Sequence, residues 1–572
     1  MGFMTIDGML VEFTDEPNVL SVIRKAGIDL PTLCYHSELS VYGACRLCTV
    51  EDDRGKMISS CSERPRDGMT IRTSTPRLIK YRRMILELLL ASHDRDCTTC
   101  IRSRECDLQA LARRMGVAAV SYEPRVGHHP LDKSSPSIVR NPNKCILCGD
   151  CVRVCESVQG VNAIDFAYRG TGAMVIPALD KPMAETDCVN CGQCRVVCPT
   201  GAISIHTNIT PVWEALADPN VKVFAQIAPA VRVAVAHSFG GERGVNAIGK
   251  LVGALHRLGF DEVYDTTFGA DLTIIEESKE FLNRLAAGGP FPLFTSCCPA
   301  WVSFCEKRWP EFEPNLSTTY SPLIMLASVA QEHFRDPEKN RGKRVLSVGI
   351  MPCTAKKAEI LRDDTKTHGK PNVDYVLTTT ELIEMIRRAG IDFEKVEEES
   401  ADMPFGIGSG AGVIFGNSGG VMEAVLRRLS DGHDRLTLQQ VRESGVRGDE
   451  TQTLREFAFN YHGHELKAAV VSGLAEASAL LHRVKSGEAE YHIVEVMACR
   501  QGCIMGGGQP THAGPRTKAA RARGLYGADV AAQIKKSNEN PLAMSVYDTL
   551  IRGREHELLH RQIHAAGRRA SA

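Results

Sequence analysis

The chain has 572 residues, 43% hydrophobic and 24% charged, enough to bury several cores and to form roughly three or four domains. A formal net charge of -1 with no long run of one sign gives no footprint for nucleic acid or for an anionic membrane surface. No apolar run approaches the ~20 residues of a membrane span, no basic leader opens Met1-Gly-Phe-Met-Thr-Ile6, and an odd 21 cysteines favour thiolate ligands over disulfides, so a reducing, cytoplasmic location is expected.

Residues 1–75 open with two short apolar runs about Asp7-Gly8, a hairpin signal, followed by Val19 to Ala26 at helical spacing and a stop at Gly27. This predicts a β-grasp domain. Within it Cys34, Cys45, Cys48 and Cys61 form C-x10-C-x2-C-x12-C, whose nearest likeness is the plant-type ferredoxin domain; four loop cysteines suit a [2Fe-2S] cluster, with zinc as the alternative.

Residues 76–135 begin with a predicted amphipathic helix from Arg77 to Ser92, its stripe being Leu78, Met84, Ile85, Leu88 and Leu89. The helix delivers His93, which with Cys97, Cys100 and Cys106 gives H-x3-C-x2-C-x5-C. A lone histidine at a helix end is more often a dipole partner or a surface residue; four residues before a cysteine triplet it becomes a ligand candidate. Residues 117–140 read as an extended connection.

Residues 136–210 carry an internal repeat. Cys145, Cys148, Cys151 and Cys155 are spaced as Cys188, Cys191, Cys194 and Cys198 are, and Pro199 follows the second quartet. This is the spacing of bacterial two-cluster ferredoxins, in which each fourth cysteine ligates the other cluster. Cys145, Cys148, Cys151 and Cys198 would hold one [4Fe-4S] cubane, and Cys188, Cys191, Cys194 and Cys155 the other.

From 211 to 572 apolar runs alternate with helical patterns, which predicts an α/β domain with cysteine-bearing loops at strand ends, preceded by the β-grasp and α+β ferredoxin-like iron–sulfur domains. Strands are predicted over 221–227, 292–295, 344–350, 466–471 and 491–496. Three of them run into Thr295-Ser-Cys-Cys-Pro-Ala-Trp301, Met351-Pro-Cys-Thr-Ala-Lys-Lys-Ala-Glu359 and Met497-Ala-Cys-Arg-Gln-Gly-Cys503. Loops beyond the carboxyl ends of strands are expected to converge on one crevice, and Gly506, Gly507 and Gly508 would let backbone approach a bulky ligand. The glycine-rich 406–412 and 416–420 stretches lack the strand, helix and lysine of a nucleotide loop.

These three loops resemble the signature motifs of the [FeFe]-hydrogenases, and the domain order is similar over almost the whole chain. On these motifs the chain is identified as a member of that family, of the long multi-cluster type with an N-terminal [2Fe-2S] domain. The resemblance implies that Cys298, Cys353, Cys499 and Cys503 hold a [4Fe-4S] cubane, with Cys503 bridging to a two-iron subsite carrying CO, cyanide and a dithiolate: the H-cluster. It also assigns a [4Fe-4S] cluster to His93, Cys97, Cys100 and Cys106, giving one [2Fe-2S] and three accessory [4Fe-4S] clusters. The implied activity is reversible interconversion of H2 with protons and electrons. Ferredoxin or an NAD(P)-reducing partner subunit would exchange the electrons.

By the same resemblance Cys297 is the proton donor, and Glu277, Ser317 and Glu280 continue the relay, with Arg284 and Glu359 as an outer arginine–carboxylate pair. Pattern alone favours a blander reading for Glu277 and Glu280, the first turns of a solvated helix. Lys356 would set a cation beside the thiolates, its neighbour Lys357 reading as a surface residue. Met351 and Met497 would wall the subsite. Leu323 and Ala230 stand where relatives often carry glutamine and serine, and Cys305 reads as a core thiol. A structural zinc site predicts paired C-x2-C knuckles in place of three distant loops, an electron-carrying subunit leaves the last four ligands unexplained, and a sensor would lack Cys297.

Overall fold

The computed structural model describes the chain except for residues 104, 124–127, 431–440, 442–444, 449–451, 512–514 and 562–572; part of the expected connection at 117–140 therefore lies outside the described residues. The chain divides into two compact units. One comprises Met1–Ser157, Asn162–Thr186 and Gln193–Ser204, the other Val158–Val161, Asp187–Gly192 and Ile205–Ala572.

In the first unit the expected hairpin forms between strands Gly2–Ile6 and Met9–Phe13. Asp7 and Gly8 both take positive φ, as a two-residue turn that follows the strand twist requires. Thr70–Arg72, Thr49–Asp52 and Met57–Ser59 complete a five-stranded sheet. Helix Val19–Lys25 covers it, capped by Asn18, and its Val19, Leu20, Val22 and Ile23 pack with Met4, Ile6, Val50 and Ile71.

Helix Pro76–Ala91 starts at an N-cap threonine, Thr75, with Pro76 in the first turn. Its buried face matches the expected stripe in part. Leu78 is buried and Ile85 and Leu89 pack on the core around Leu86, but Arg82 and Leu86 also face inward while Met84 and Leu88 are exposed. The reason is Arg82, whose guanidinium donates to the Leu47 and Thr49 carbonyls at 3.0 and 2.7 Å and so ties the helix to the loop around Cys48. The repeat region folds as two short ladders, Ile138–Arg140 with Ile203–Ile205 and Ile164–Ala167 with Met174–Pro177.

The second unit holds two four-stranded sheets. One is wholly parallel, in the order Glu262–Asp265, Val221–Ile227, Arg344–Met351, Tyr375–Thr378. The other runs Leu293–Phe294, Ile493–Met497, His464–Ser472, Leu454–Tyr461, with only the last pair antiparallel. Val221–Ile227 is buried at every position, as a central parallel strand must be. Helix Thr266–Ala287 packs against helices Pro322–His333, Gly410–Val413 and Gly420–Leu429. Among the described residues no helix is long and apolar enough to cross a membrane.

Candidate active site

Three loops and one strand end meet in the second unit. Cys297 and Cys298 follow strand Leu293–Phe294, Cys353 follows Arg344–Met351, and Cys499 and Cys503 follow Ile493–Met497; all five thiols line one cavity of about 80 Å3. The loops come from both sheets, so the crevice lies between two sheets, whereas the switch-point rule describes a single one. Ala228, Pro229 and Ala230, just past Val221–Ile227, close another side, and Met351, Met497, Leu323 and Phe415 give the cavity apolar walls.

Local structure aims the thiols. Cys298 is the N-cap of helix Pro299–Arg308, where free backbone N–H groups favour a thiolate. The Ala498 N–H also points at its Sγ, at 3.5 Å. Burial pushes the Cys298 thiol up, against which the Ala498, Trp301 and Ala300 N–H groups act to lower it. Burial likewise pushes Cys353 up to about 11 and raises Cys499 and Cys503. These thiols must shed protons as they ligate.

Gly506 lines the cavity, and the glycine triplet has a second job beside the one expected. A Cβ at Gly507 would lie 2.4 Å from the Cys191 carbonyl oxygen, and at Gly506 2.2 Å from that of Pro352. The glycines let protein backbones close on one another. One of those backbones carries Cys191, which reaches the cavity wall.

Lys356 is buried beside the thiols. Its ammonium is 2.7 Å from Glu359 Oε2, donates to Ser321 Oγ at 2.7 Å and lies 3.3 Å from the Cys297 carbonyl oxygen. Burial works to discharge it, but Glu359, Cys353 and Cys297 together outweigh burial and its pKa is raised. Glu359 therefore pairs with Lys356, and Arg284 pairs with Glu280 at 2.6 Å, in place of the expected Arg284–Glu359 pair. Lys357 is also not the surface residue expected. It is buried and salt-bridged to Glu381 at 3.1 Å.

Helix Thr266–Ala287 starts a full three turns before Glu277, which is only 1% exposed, so the solvated-first-turn reading fails. Neither Glu277 oxygen makes a fully formed hydrogen bond among the described residues, although the Ser317 hydroxyl and the Ser296 backbone lie close enough to favour its charged form. Burial, then Glu280, pushes its carboxyl up to about 8. Ser317 Oγ donates to Glu280 Oε2 at 3.1 Å. Cys297 is raised by burial and next by Glu277, which puts the thiol and this carboxyl within each other's field.

Cys305 is a buried core thiol, as expected. Sequence reasoning missed Glu495, wholly buried, whose carboxylate accepts from the Gly419 and Met422 N–H groups. It also missed Thr318 and His560, 2.9 Å apart.

In the first unit Cys145, Cys148, Cys151 and Cys198 line one cavity of about 30 Å3, so the fourth cysteine of the second run does join the first three of the other. Cys34 lies against Cys45, the Cys45 N–H reaching its Sγ at 3.3 Å, and Cys48 is hydrogen-bonded to Cys61. In each pair the thiol–thiolate hydrogen bond drives one partner up and the other down. His93 is half-buried, its Nδ1 shielded from solvent and without a hydrogen-bond partner among the described residues, and burial followed by Lys144 lowers its pKa to about 4. None of the 21 cysteines is in a disulfide.

Five family models match. Iron only hydrogenase large subunit, C-terminal domain, covers residues 221–507, and iron hydrogenase small subunit covers 515–565. The 2Fe-2S iron–sulfur cluster binding domain matches 3–76, the NADH-ubiquinone oxidoreductase-G iron–sulfur binding region 82–121, and the 4Fe-4S dicluster domain 144–202. The NADP-reducing hydrogenase subunit HndD of Solidesulfovibrio fructosivorans is 40% identical over 97% of this chain and 98% of its own. The chain belongs to the iron-only hydrogenase family.

Iron hydrogenase 1 of Clostridium pasteurianum is 35% identical over 98% of this chain and 99% of its own. A structure of the apo [FeFe]-hydrogenase HydA1 from Chlamydomonas reinhardtii, at 37% identity and a TM-score of 0.54, covers 62% of this chain and 98% of that one. This chain is accordingly an iron hydrogenase, an oxidoreductase with iron–sulfur domains and an H-cluster hydrogenase domain.

The hydrogenase site fits such a cluster. Soft thiolates come from three loops around a mostly apolar cavity, with one buried ammonium to balance negative charge.

Proposed function

We propose that Cys298, Cys353, Cys499 and Cys503 hold the cubane of the H-cluster, with Cys503 bridging to the two-iron subsite, and that the enzyme interconverts H2 with two protons and two electrons there. The observation that carries this is the one cavity shared by Cys297 and the four ligand candidates. When bound, the cluster supplies the metal that polarises H–H and takes or gives the electrons. The chain's own residues do the rest. Met351, Met497 and Leu323 keep water out, and Lys356 offers a fixed positive charge toward anionic ligands. Cys297 carries a proton between the cavity and Glu277, and Ser317 links Glu277 to Glu280.

In this reading residues 1–75 hold one [2Fe-2S] cluster, 76–135 a [4Fe-4S] cluster on His93, Cys97, Cys100 and Cys106, 136–210 two more, and 211–572 the catalytic centre. Support for crossed ligation is the cavity lined by Cys145, Cys148, Cys151 and Cys198. Support for His93 is its neutral imidazole, whose shielded Nδ1 has no hydrogen-bond partner among the described residues. Cys191, at the wall of the catalytic cavity, makes its cluster the last step of the electron route. Electrons exchange with ferredoxin or an NAD(P)-reducing partner subunit in the cytoplasm. The subunit form is favoured because the HndD relative, by its name part of an NADP-reducing hydrogenase, is matched over nearly its full length.

Serine at each of Cys298, Cys353, Cys499 and Cys503 in turn tests the ligand set. Each variant should lose H2 evolution and cubane iron together, and full iron with full activity in any one removes that residue from the set.

A further inference from the structure

The relay just described ends at Glu280, and the groups around that carboxylate decide where protons enter. Arg284 holds Glu280 Oε1 at 2.6 Å and also donates to the Asn315 and Leu316 carbonyls. A guanidinium is not deprotonated in proteins, so Arg284 cannot hand a proton on, and with it in place only 14% of the Glu280 side chain is exposed. The other oxygen, Oε2, accepts from Ser317 Oγ at 3.1 Å, the Thr318 N–H at 3.0 Å and Thr318 Oγ at 3.1 Å.

Because the Thr318 hydroxyl donates to Glu280, it accepts from what lies behind it, His560 Nδ1 at 2.9 Å. His560 Nε2 lies 3.2 Å from Glu276 Oε2. Glu276 Oε1 accepts from Tyr547 Oη at 2.8 Å and Lys279 Nζ at 2.9 Å, and the Lys279 side chain is 42% exposed. An unbroken hydrogen-bonded line thus runs from solvent to Glu280. The histidine is fixed by backbone as well. The Tyr320 N–H donates to the Leu559 carbonyl at 2.8 Å, and the Arg561 N–H to that of Thr318 at 2.7 Å.

We propose that protons pass between solvent and Glu280 through His560, along Lys279 and Tyr547, Glu276, His560 and Thr318. In the inward direction protonated Glu276 gives its proton to Nε2. Nδ1 releases its own to the Thr318 oxygen as the threonine hydroxyl proton moves to Glu280, so one proton has moved and the ring is left neutral. H2 oxidation runs the same line outward. The inference rests on the Cys297, Glu277, Ser317, Glu280 relay. His560 touches no reacting atom; it is a relay residue supplied by the segment that matches the iron hydrogenase small subunit.

The test compares His560→Gln with Glu277→Gln in anaerobically matured holoenzyme. His560→Gln should lower kcat for H2 evolution by at least about 10-fold with the donor KM unchanged, enlarge the solvent isotope effect, keep the CO and cyanide infrared bands, and regain rate with added imidazole. Thr318→Val cuts the same link from the other side and should enlarge the isotope effect without imidazole rescue. Glu277→Gln should fail regardless of imidazole. Parental rate and isotope effect in His560→Gln, with Glu277→Gln impaired, overturns the His560 route and leaves the inner relay standing. Parental rate in Glu277→Gln overturns the relay itself. A slowed His560→Gln that imidazole does not rescue, or whose bands shift, shows a structural role and also overturns the route.

Discussion

Glu495 Oε1 accepts the Gly419 N–H at 2.6 Å, and its second oxygen takes the Met422 N–H at 2.7 Å. A carboxylate on the strand that ends in the Cys499 loop therefore caps helix Gly420–Leu429. A Cβ on Gly502, in that loop, would lie 2.6 Å from the Ser418 nitrogen, so cap and metal loop are packed as one piece. Glu495→Ala leaves two buried donors without an acceptor. A stability loss of about 1–2 kcal/mol or more is expected, read as a lower Tm of the apoprotein. An unchanged Tm would show that the cap contributes nothing.

Cys297 and Cys298 are adjacent but should fail differently. Cys298→Ser swaps a soft ligand for a hard one, so iron and infrared bands should fall together. Cys297→Ser should keep both. A serine hydroxyl ionises far above the ~8.5 of a free thiol, and loss of a positioned acid–base group costs about 10²- to 10⁴-fold. H2 evolution should drop by at least the lower figure, and Cys297→Asp should recover part of it. Near-normal turnover in Cys297→Ser would mean that protons bypass this thiol.

Glu277 makes a pH prediction. Burial raises its carboxyl from 4.5 to about 8. The folded state thus favours the protonated acid. Its contribution to stability is fully present below the unfolded value near 4.5 and is lost as pH climbs through about 8. Glu277→Gln, which cannot ionise, should be the more stable protein by a margin that grows across that window. Thermal melts of both apoproteins from pH 5 to 8.5 check this. A pH-independent difference would place the folded value near that of an ordinary glutamate.

His93→Cys exchanges a neutral imidazole for a negative thiolate, which should lower the potential of one accessory cluster. Activity with a dye that feeds the catalytic centre directly should persist while activity through the accessory clusters falls. Spectroelectrochemistry that finds every accessory potential unchanged would remove His93 as a ligand.

The sequence stated the strands and the thiols well because both are local signals. Val221–Ile227 was bounded to the residue, and the strands ending near Met351 and Met497 lead into the cysteine loops as their patterns implied. The four-cysteine cavity follows from the doubled spacing. What escaped is non-local burial of charge. Glu277 looks like a solvated residue until helix Pro322–His333 and its neighbours cover the helix that carries it. Lys357 looks like surface until Glu381, 24 positions on, accepts its hydrogen bond in the interior. Thr318 and His560 are 242 residues apart, with no pattern to join them. The inward face of Pro76–Ala91 was legible only in part, because a buried arginine, Arg82, shares it with Leu78 and Leu86 while Met84 and Leu88 turn outward.

Infrared spectroscopy of the protein matured anaerobically with its assembly enzymes tests the central claim most directly, because protein does not absorb where metal-bound CO and cyanide do. CO and cyanide stretching bands should accompany H2 evolution in the parent, persist in Cys297→Ser and disappear in Cys503→Ser. A matured parent protein without those bands, or holding stoichiometric zinc on Cys298, Cys353, Cys499 and Cys503, would contradict it.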